Sequence, residues 1–188
     1  MKGQEEAPIE LLIGVTVLTF VLIIAYYVYE NVSSTQYLER VKASTSQFAR
    51  VIENVAQGGP GTTQHISLDF SGSSGDTRIS QITIAKGPPD ACLNALGTRD
   101  CYMIYVIANV SGTMQIVHSE LLYHVSGEDI WYDPTGANMN CDYTGLLTYF
   151  SNPSSGDACG AENFLNAGVY HFTVSKTPDD KILISTGG

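Results

Sequence analysis

Residues 11–57 read LLIGVTVLTFVLIIAYYVYENVSSTQYLERVKASTSQFARVIENVAQ. From Leu11 to Tyr29 there is no charged side chain. A helix over that run extends about 28 Å, close to the apolar thickness of a bilayer. Tyr26, Tyr27 and Tyr29 gather at its end, where an interfacial aromatic belt belongs. A cleaved secretory signal has a shorter apolar core and a small-residue exit site. Here the run ends in Tyr-Tyr-Val-Tyr-Glu, so removal at that point is not expected.

The helical pattern continues past Glu30. Tyr37, Leu38, Val41, Phe48, Val51, Ile52 and Val55 recur at spacings of three and four, while Arg40, Lys42, Arg50 and Glu53 fall on other faces. Ser33, Ser34 and Thr35 are weaker helix formers between the two halves. Gly58, Gly59, Pro60 and Gly61 stop the helix, and Pro8 suits its first turn because the missing N–H is not needed there. One helix is therefore predicted from about Pro8 to Gln57, about 75 Å long. Its first half is apolar all round, and its second half is apolar on the side that lies on a folded domain.

Beyond Gly61 the period changes to two. HISLDF alternates Ile66, Leu68 and Phe70; RISQITIAK offers Ile82 and Ile84; VYHFTVSK places Tyr170, Phe172 and Val174 on one face; DDKILIST closes the chain. CYMIYVIANV is apolar at both parities, as in a central strand covered on both faces. In TMQIVHSELLYHV, Val117, Leu121, Tyr123 and Val125 share a parity predicted to face inward. SGSSGD, KGPPDA, NVSGT, SNPSSGDACG and TPDDK read as turns, and Trp131 with Tyr132 as packing at a strand end. Asp133 to Asn166 is poor in apolar periodicity and reads as a surface excursion. The expected fold is α+β: the second half of the long helix packs on an antiparallel, sheet- or sandwich-like domain.

The chain has 188 residues with 9 Lys+Arg against 19 Asp+Glu, a formal charge of −10. It carries no basic stripe, which argues against a nucleic-acid partner. The four cysteines allow three pairings. The sequence-local pairs, Cys92 with Cys101 and Cys141 with Cys159, are expected as disulfides of an exported domain.

Ahead of the apolar run stands MKGQEEAPIE. A short basic stub, a Gly, then Gln and acids, an uninterrupted apolar helix, an amphipathic extension and a β domain follow the order of a type IV pilin. KGQEEAPIELLIG resembles the class III signal peptide of archaeal pilin-like and archaellin-like proteins, and FARVIENVAQGGPG is similar to their helix end. The resemblance implies a leader of residues 1–3 cut after Gly3 by a prepilin peptidase, with Gln4 as the mature N-terminus. Residues 4–30 then form a helix that leaves the membrane for the core of a helical homopolymer raised by pilus assembly machinery. Residues 31–59 form its amphipathic extension, and residues 60–188 a β-rich extracellular head. The implied function is that of a structural subunit of a type IV-like pilus for adhesion or surface attachment. A membrane-anchored binding module, or a minor pilin at a filament tip, is the alternative. Such families place a Glu at the fifth mature position, to neutralise a neighbour's N-terminal amine. Counting from Gln4 that position is Pro8, so Glu10, the acid flanked by apolar residues, takes first place ahead of Glu5 and Glu6. A carboxylate in an apolar bundle needs a cation or a proton.

Two sequons occur, Asn31-Val32-Ser33 and Asn109-Val110-Ser111. Asn109 leads into a turn and is the better acceptor for a sugar; Asn31 sits close to the membrane-proximal helix. His118, Glu120 and His124 share a strand parity, but the two His lie about 20 Å apart on a straight strand, so a polar outer face is the better reading than zinc. Asp133, Asn138, Asn140 and Asp142 lack the spacing of a calcium loop. GxSxG, HExxH and P-loop motifs are absent, and neither an enzyme nor a cofactor or metal is expected.

Overall fold

A computed structural model describes residues 6–74, 77–123, 125, 130–133, 137–138, 141–151, 159 and 165–186, with backbone alone for 6–10, 30–35, 74, 131–133, 137–138 and 149–151. One helix, α1 (Glu6–Gln57), runs without a break through both predicted halves. The strands form two sheets. The first has the order β1 (Thr63–Asp69), β9 (Val169–Lys176), β10 (Ile182–Thr186), β6 (Ile130–Asp133), β7 (Ala137–Asn138). The second has the order β2 (Ser73–Ser74), β3 (Thr77–Lys86), β4 (Tyr102–Val110), β5 (Thr113–Leu122), with β8 (Leu165–Asn166) also on β3. All these pairings are antiparallel except β6 with β10. A parallel pair needs a long crossover, and the chain between those two strands supplies it. Among the described residues there are also two short helices, α2 (Pro89–Leu96) and α3 (Tyr143–Ser151).

The second half of α1 enters the core through Tyr37, Val41, Phe48, Ala49, Ile52 and Val55, all buried. Thr45 is buried on the same stripe, and its hydroxyl donates to the Val41 carbonyl at 2.8 Å. That local bond lets a polar side chain sit in an apolar seam without an unmet hydrogen bond. Leu38 and Val51 are half-buried at its margins. Phe48 stacks on Phe172, ring centroids 4.8 Å apart, and Phe172 stacks in turn on Tyr170. Around them one core draws Ile66, Leu68, Val174, Ile182 and Ile184 from the first sheet and Ile79, Ile82, Ile84, Ile104, Val106 and Leu122 from the second. The helix is thus the element that both sheets share.

Both ends of the seam are pinned by polar contacts. Where α1 enters the head, the Tyr37 hydroxyl donates to the Gly72 carbonyl at 2.6 Å. Gly72 has φ +117°, and a Cβ there would fall 2.9 Å from the Tyr37 ring, so glycine is required on both counts. At the far end α1 stops at Gln57, and the Gly58 N–H reaches back to the carbonyls of Asn54 and Val55. The last turn of α1 holds no basic residue. Lys176 of β9 supplies the charge instead: its ammonium donates to the carbonyls of Ala56 (2.6 Å) and Gly58 (3.0 Å) and pairs with Asp180 at 2.9 Å. A cation at a helix C-terminus meets both the orphan carbonyls and the negative end of the dipole. Nearby the Glu53 carboxylate accepts from the Tyr123 backbone N–H at 2.7 Å, tying α1 to the end of β5.

Strand β4 is covered on both faces, as its doubled apolar parity predicts. Ile104, Val106 and Ala108 look toward α1, while Tyr105 and Ile107 look the other way, with Ala85, onto Cys141, Leu146 and Cys159. The Asp133–Asn166 segment is therefore not merely a surface excursion: its described part lays α3 and a disulfide over the second sheet. The Asp142 carboxylate caps α3 by accepting from the Gly145 N–H at 2.6 Å. Burial pushes the Tyr105 phenol far above its ordinary range, with the Tyr143 ring 6.0 Å away adding to the effect. KGPPDA is likewise not only a turn. Pro89 opens α2, Asp90 lies in its first turn, and Gly97, at φ 72°, closes it with an N–H bond to Leu93 O.

The predicted inward parity of β5 does not hold along the strand. The β4–β5 register shifts between Val106 and Ile107, and this bulge turns His118 and Glu120 toward α1. Glu120 accepts from the Ser46 hydroxyl at 3.0 Å, and Tyr123 is exposed. His118 Nε2 lies 3.3 Å from Glu120 without hydrogen-bond alignment. The polar outer face expected of this pair is instead an edge tucked under the helix; His124 lies outside the described residues.

Two outcomes test this packing. Replacing Lys176 with Met is expected to destabilise the protein by about 1.5–3 kcal/mol, the range for hydrogen bonds to a buried charge. Asp180→Asn should cost under about 1 kcal/mol, because Asp180 is 76% exposed. Thermal unfolding of the full chain in mild detergent, followed by near-ultraviolet dichroism, measures both. In a C141A/C159A variant, chymotrypsin is expected to cleave after Tyr143 and Leu146 while Tyr102 and Tyr105 stay protected. An unchanged digest would show that the disulfide does not hold α3 down.

Candidate functional site

The head buries its apolar side chains; the first half of α1 does not. Every residue from Leu11 to Tyr29 is exposed, with mean hydropathy 2.5 over this 19-residue stretch. The large side chains range from Ile23 at 53% to Tyr29 at 73% exposure, so no face of the helix is turned away. On the head, only Leu93, Tyr123, Leu147 and Val169 are exposed large apolar residues among the described residues, and of these only Val169, at 59%, is as open as the helix. A continuous apolar surface of this size marks a place where lipid or protein is meant to lie.

Its chemistry suits a medium without water. Helical backbone groups bond within the segment, which is what a nonpolar surrounding demands. The two hydroxyls do the same: Thr16 donates to the Leu12 carbonyl at 2.7 Å and Thr19 to the Val15 carbonyl at 2.8 Å. Val15, Thr16, Thr19, Phe20 and Ile23 line a shallow notch on the helix surface. Gly14 has open space around it, so another helix backbone can approach there. Tyr26, Tyr27 and Tyr29 ring the head-proximal end, each more than 60% exposed. From Tyr29 to Tyr37 the helix continues about 12 Å before the head grips it.

The candidate site residues fall as follows. Gly3, Gln4 and Glu5 lie outside the described residues. Glu6 and Glu10 stand in the first turns of α1, which also contain Pro8, and their side chains lie outside the description. Asn31 belongs to α1 with its side chain likewise outside it. Asn109 is half-buried near the end of β4. Both local disulfides are formed, Cys92–Cys101 with Cα atoms 5.4 Å apart and Cys141–Cys159 at 4.8 Å. Each packs on a glycine: a Cβ on Gly87 would meet Cys101 Sγ at 2.8 Å, and one on Gly145 would meet Cys159 Sγ at 3.0 Å. Asp142, once a candidate calcium ligand, is the cap of α3. Among the described residues no three His, Cys, Asp or Glu side chains gather into a metal-binding group. Lys176 is the polar residue that sequence reasoning missed, because nothing local marks a lysine as the cap of a helix 120 positions earlier.

The apolar helix and the disulfides together point to membrane anchoring, or a signal sequence, with the head outside the cytosol. Compared with known proteins, the chain matches no family model, no curated protein and no solved structure.

A charge placed midway along the exposed segment tests its role. Val21→Arg is expected to weaken membrane insertion by about 2.5–3.5 kcal/mol. Flotation of the expressed chain with liposomes should show it shifted to the soluble or aggregated fraction, whereas Val21→Leu floats like the parent.

Proposed function

We propose that this protein is the structural subunit of an extracellular type IV-like filament. The observation that carries the reading is the form of α1: one rigid helix, apolar and exposed on all sides in its first half, gripped by a β head in its second. A filament subunit lives in two surroundings. Before assembly its apolar half dissolves in lipid; afterwards copies of the same half bury one another. A helix open on every face serves both states. Burial from water is worth about 1.5–3 kcal/mol per large apolar side chain, but lipid already supplies most of that. Assembly out of the membrane is therefore small in free energy and calls for a driven machine.

In this reading a prepilin peptidase cuts between Gly3 and Gln4, and the new amine of one subunit meets a carboxylate of its neighbour. Glu10 is the first choice for that carboxylate, with Glu5 and Glu6 behind it. The partners are further copies of the chain, the peptidase and the assembly machinery, and the role is structural rather than catalytic. The subunit resides in the cell membrane and then in a surface filament used for attachment.

N-terminal sequencing of material sheared from cells is the test. Filaments whose subunits start at Gln4 support the reading. Intact Met1 confined to the membrane fraction, with no filament, would favour a membrane-anchored binding module. Gly3→Val should leave the leader in place and abolish filaments seen by electron microscopy.

A further inference from the structure

The β4–β5 hairpin turns on Ser111 and Gly112, both at positive φ (51° and 86°), the two-residue turn that matches the twist of paired strands. The residues entering it complete the sequon Asn109-Val110-Ser111. The Asn109 side-chain Oδ1 accepts from the Gly112 N–H at 2.8 Å. That bond holds the carbonyl end of the amide on the turn and uses none of the Nδ2 hydrogens. Ser111 is exposed and Asn109 half-buried beside the exposed Gly112, so the motif lies at the solvent surface of the hairpin tip.

Placement on the sheet favours the same site. Asn109 shares the parity of Tyr105 and Ile107 and so lies on the face of the second sheet away from α1. The cover supplied by α3 and the Cys141–Cys159 disulfide is centred on Ala85, Tyr105 and Ile107. Asn109 lies one position of that face nearer the turn. Its cross-strand partners are Arg78 and Met114. An exposed guanidinium on one side offers donors to sugar hydroxyls, and a half-buried thioether on the other offers an apolar surface to sugar C–H groups.

We infer that Asn109 carries an N-linked glycan, set on the outer face of the second sheet at the tip of the β4–β5 hairpin. The donor class is a saccharide joined through phosphate to a lipid carrier. A bond forms between Asn109 Nδ2 and the sugar C1, the C1–O bond to phosphate breaks, the lipid phosphate leaves and the amide nitrogen gives up one proton. The inference requires that the head be exported and is independent of whether it forms a filament.

The test is mass spectrometry of the protein purified from the cells that make it, with fragmentation of the peptide containing Asn109. A saccharide increment on Asn109 is expected in the parent and in Ser111→Thr, and its complete loss in Asn109→Gln and Ser111→Ala. The parent measurement needs no variant to fold, so it stands alone. An unmodified Asn109 peptide, an increment on Asn31 only, or an increment that survives Ser111→Ala overturns the inference.

Discussion

The seam between α1 and the head is the contact on which the rest depends. Phe48 is its centre: the ring stacks on Phe172 of the first sheet while its helical neighbours Val41, Ile52 and Val55 join a core that also holds the second sheet. Two sheets that share no strand are thus joined through a third element. Removing the helix would leave both with an open apolar face. The helix depends on the head in turn, because a long isolated helix in water gains most of its stability from packing. The clamps follow from this mutual need. Tyr37 with Gly72 holds one end of the seam, Lys176 and Glu53 hold the other, and each joins groups far apart in the chain.

The second sheet solves a different problem. A strand as apolar as β4 cannot leave either face in water, and α1 covers only one. The other face is closed by a nine-residue helix in which Leu146 is fully buried and Tyr143 packs beside it. The Cys141–Cys159 link and the Asp142 cap also hold this short lid: one limits how far α3 can leave, the other satisfies a backbone donor at its start. The same economy holds α2, whose only buried residue is Cys92. Gly87 and Gly145 are part of this arrangement, since a side chain at either would press on the bridging sulfurs.

What was legible in the sequence was what is local. The bounds of α1 follow from Pro8, the three-four spacing and the Gly58–Gly61 stop; strand Thr63–Asp69 follows from period-two text and strand Tyr102–Val110 from a run apolar at both parities. The exposed apolar segment, which is the heart of the candidate site, is read from composition alone. Helix α2 was also written in local signals, Pro89, Asp90 and Gly97, but a Pro-Pro pair reads first as a turn. Helix α3 packs through Tyr143 and Leu146 among the described residues, but it is short and set in Gly-, Asn- and Ser-rich text that reads first as a loop. The parity of β5 failed because a bulge opposite Val106 and Ile107 resets the faces, and a one-residue slip moves every later side chain to the other side. The division into two sheets and the Lys176 cap depend on pairings more than a hundred residues apart, which no window of sequence contains.

The apolar half of α1 shows how little distinguishes lipid from protein as a surrounding. Its peptide groups are bonded within the helix, and Thr16 and Thr19 return their hydroxyls to it, so from Leu11 to Ala25 no side chain asks for a polar partner from outside. With water absent from both states, the hydrophobic effect no longer favours either. What separates them is close packing between helices, aided where Gly14 leaves room, and whatever the heads gain on meeting. In the proposed filament a carboxylate near the start of the helix adds the one strong directional term. A charge is costly in an apolar bundle when alone and acceptable when a neighbour's amine lies beside it. Such a term acts only when a subunit is in register, so it selects the position of the incoming copy more than it stabilises the whole.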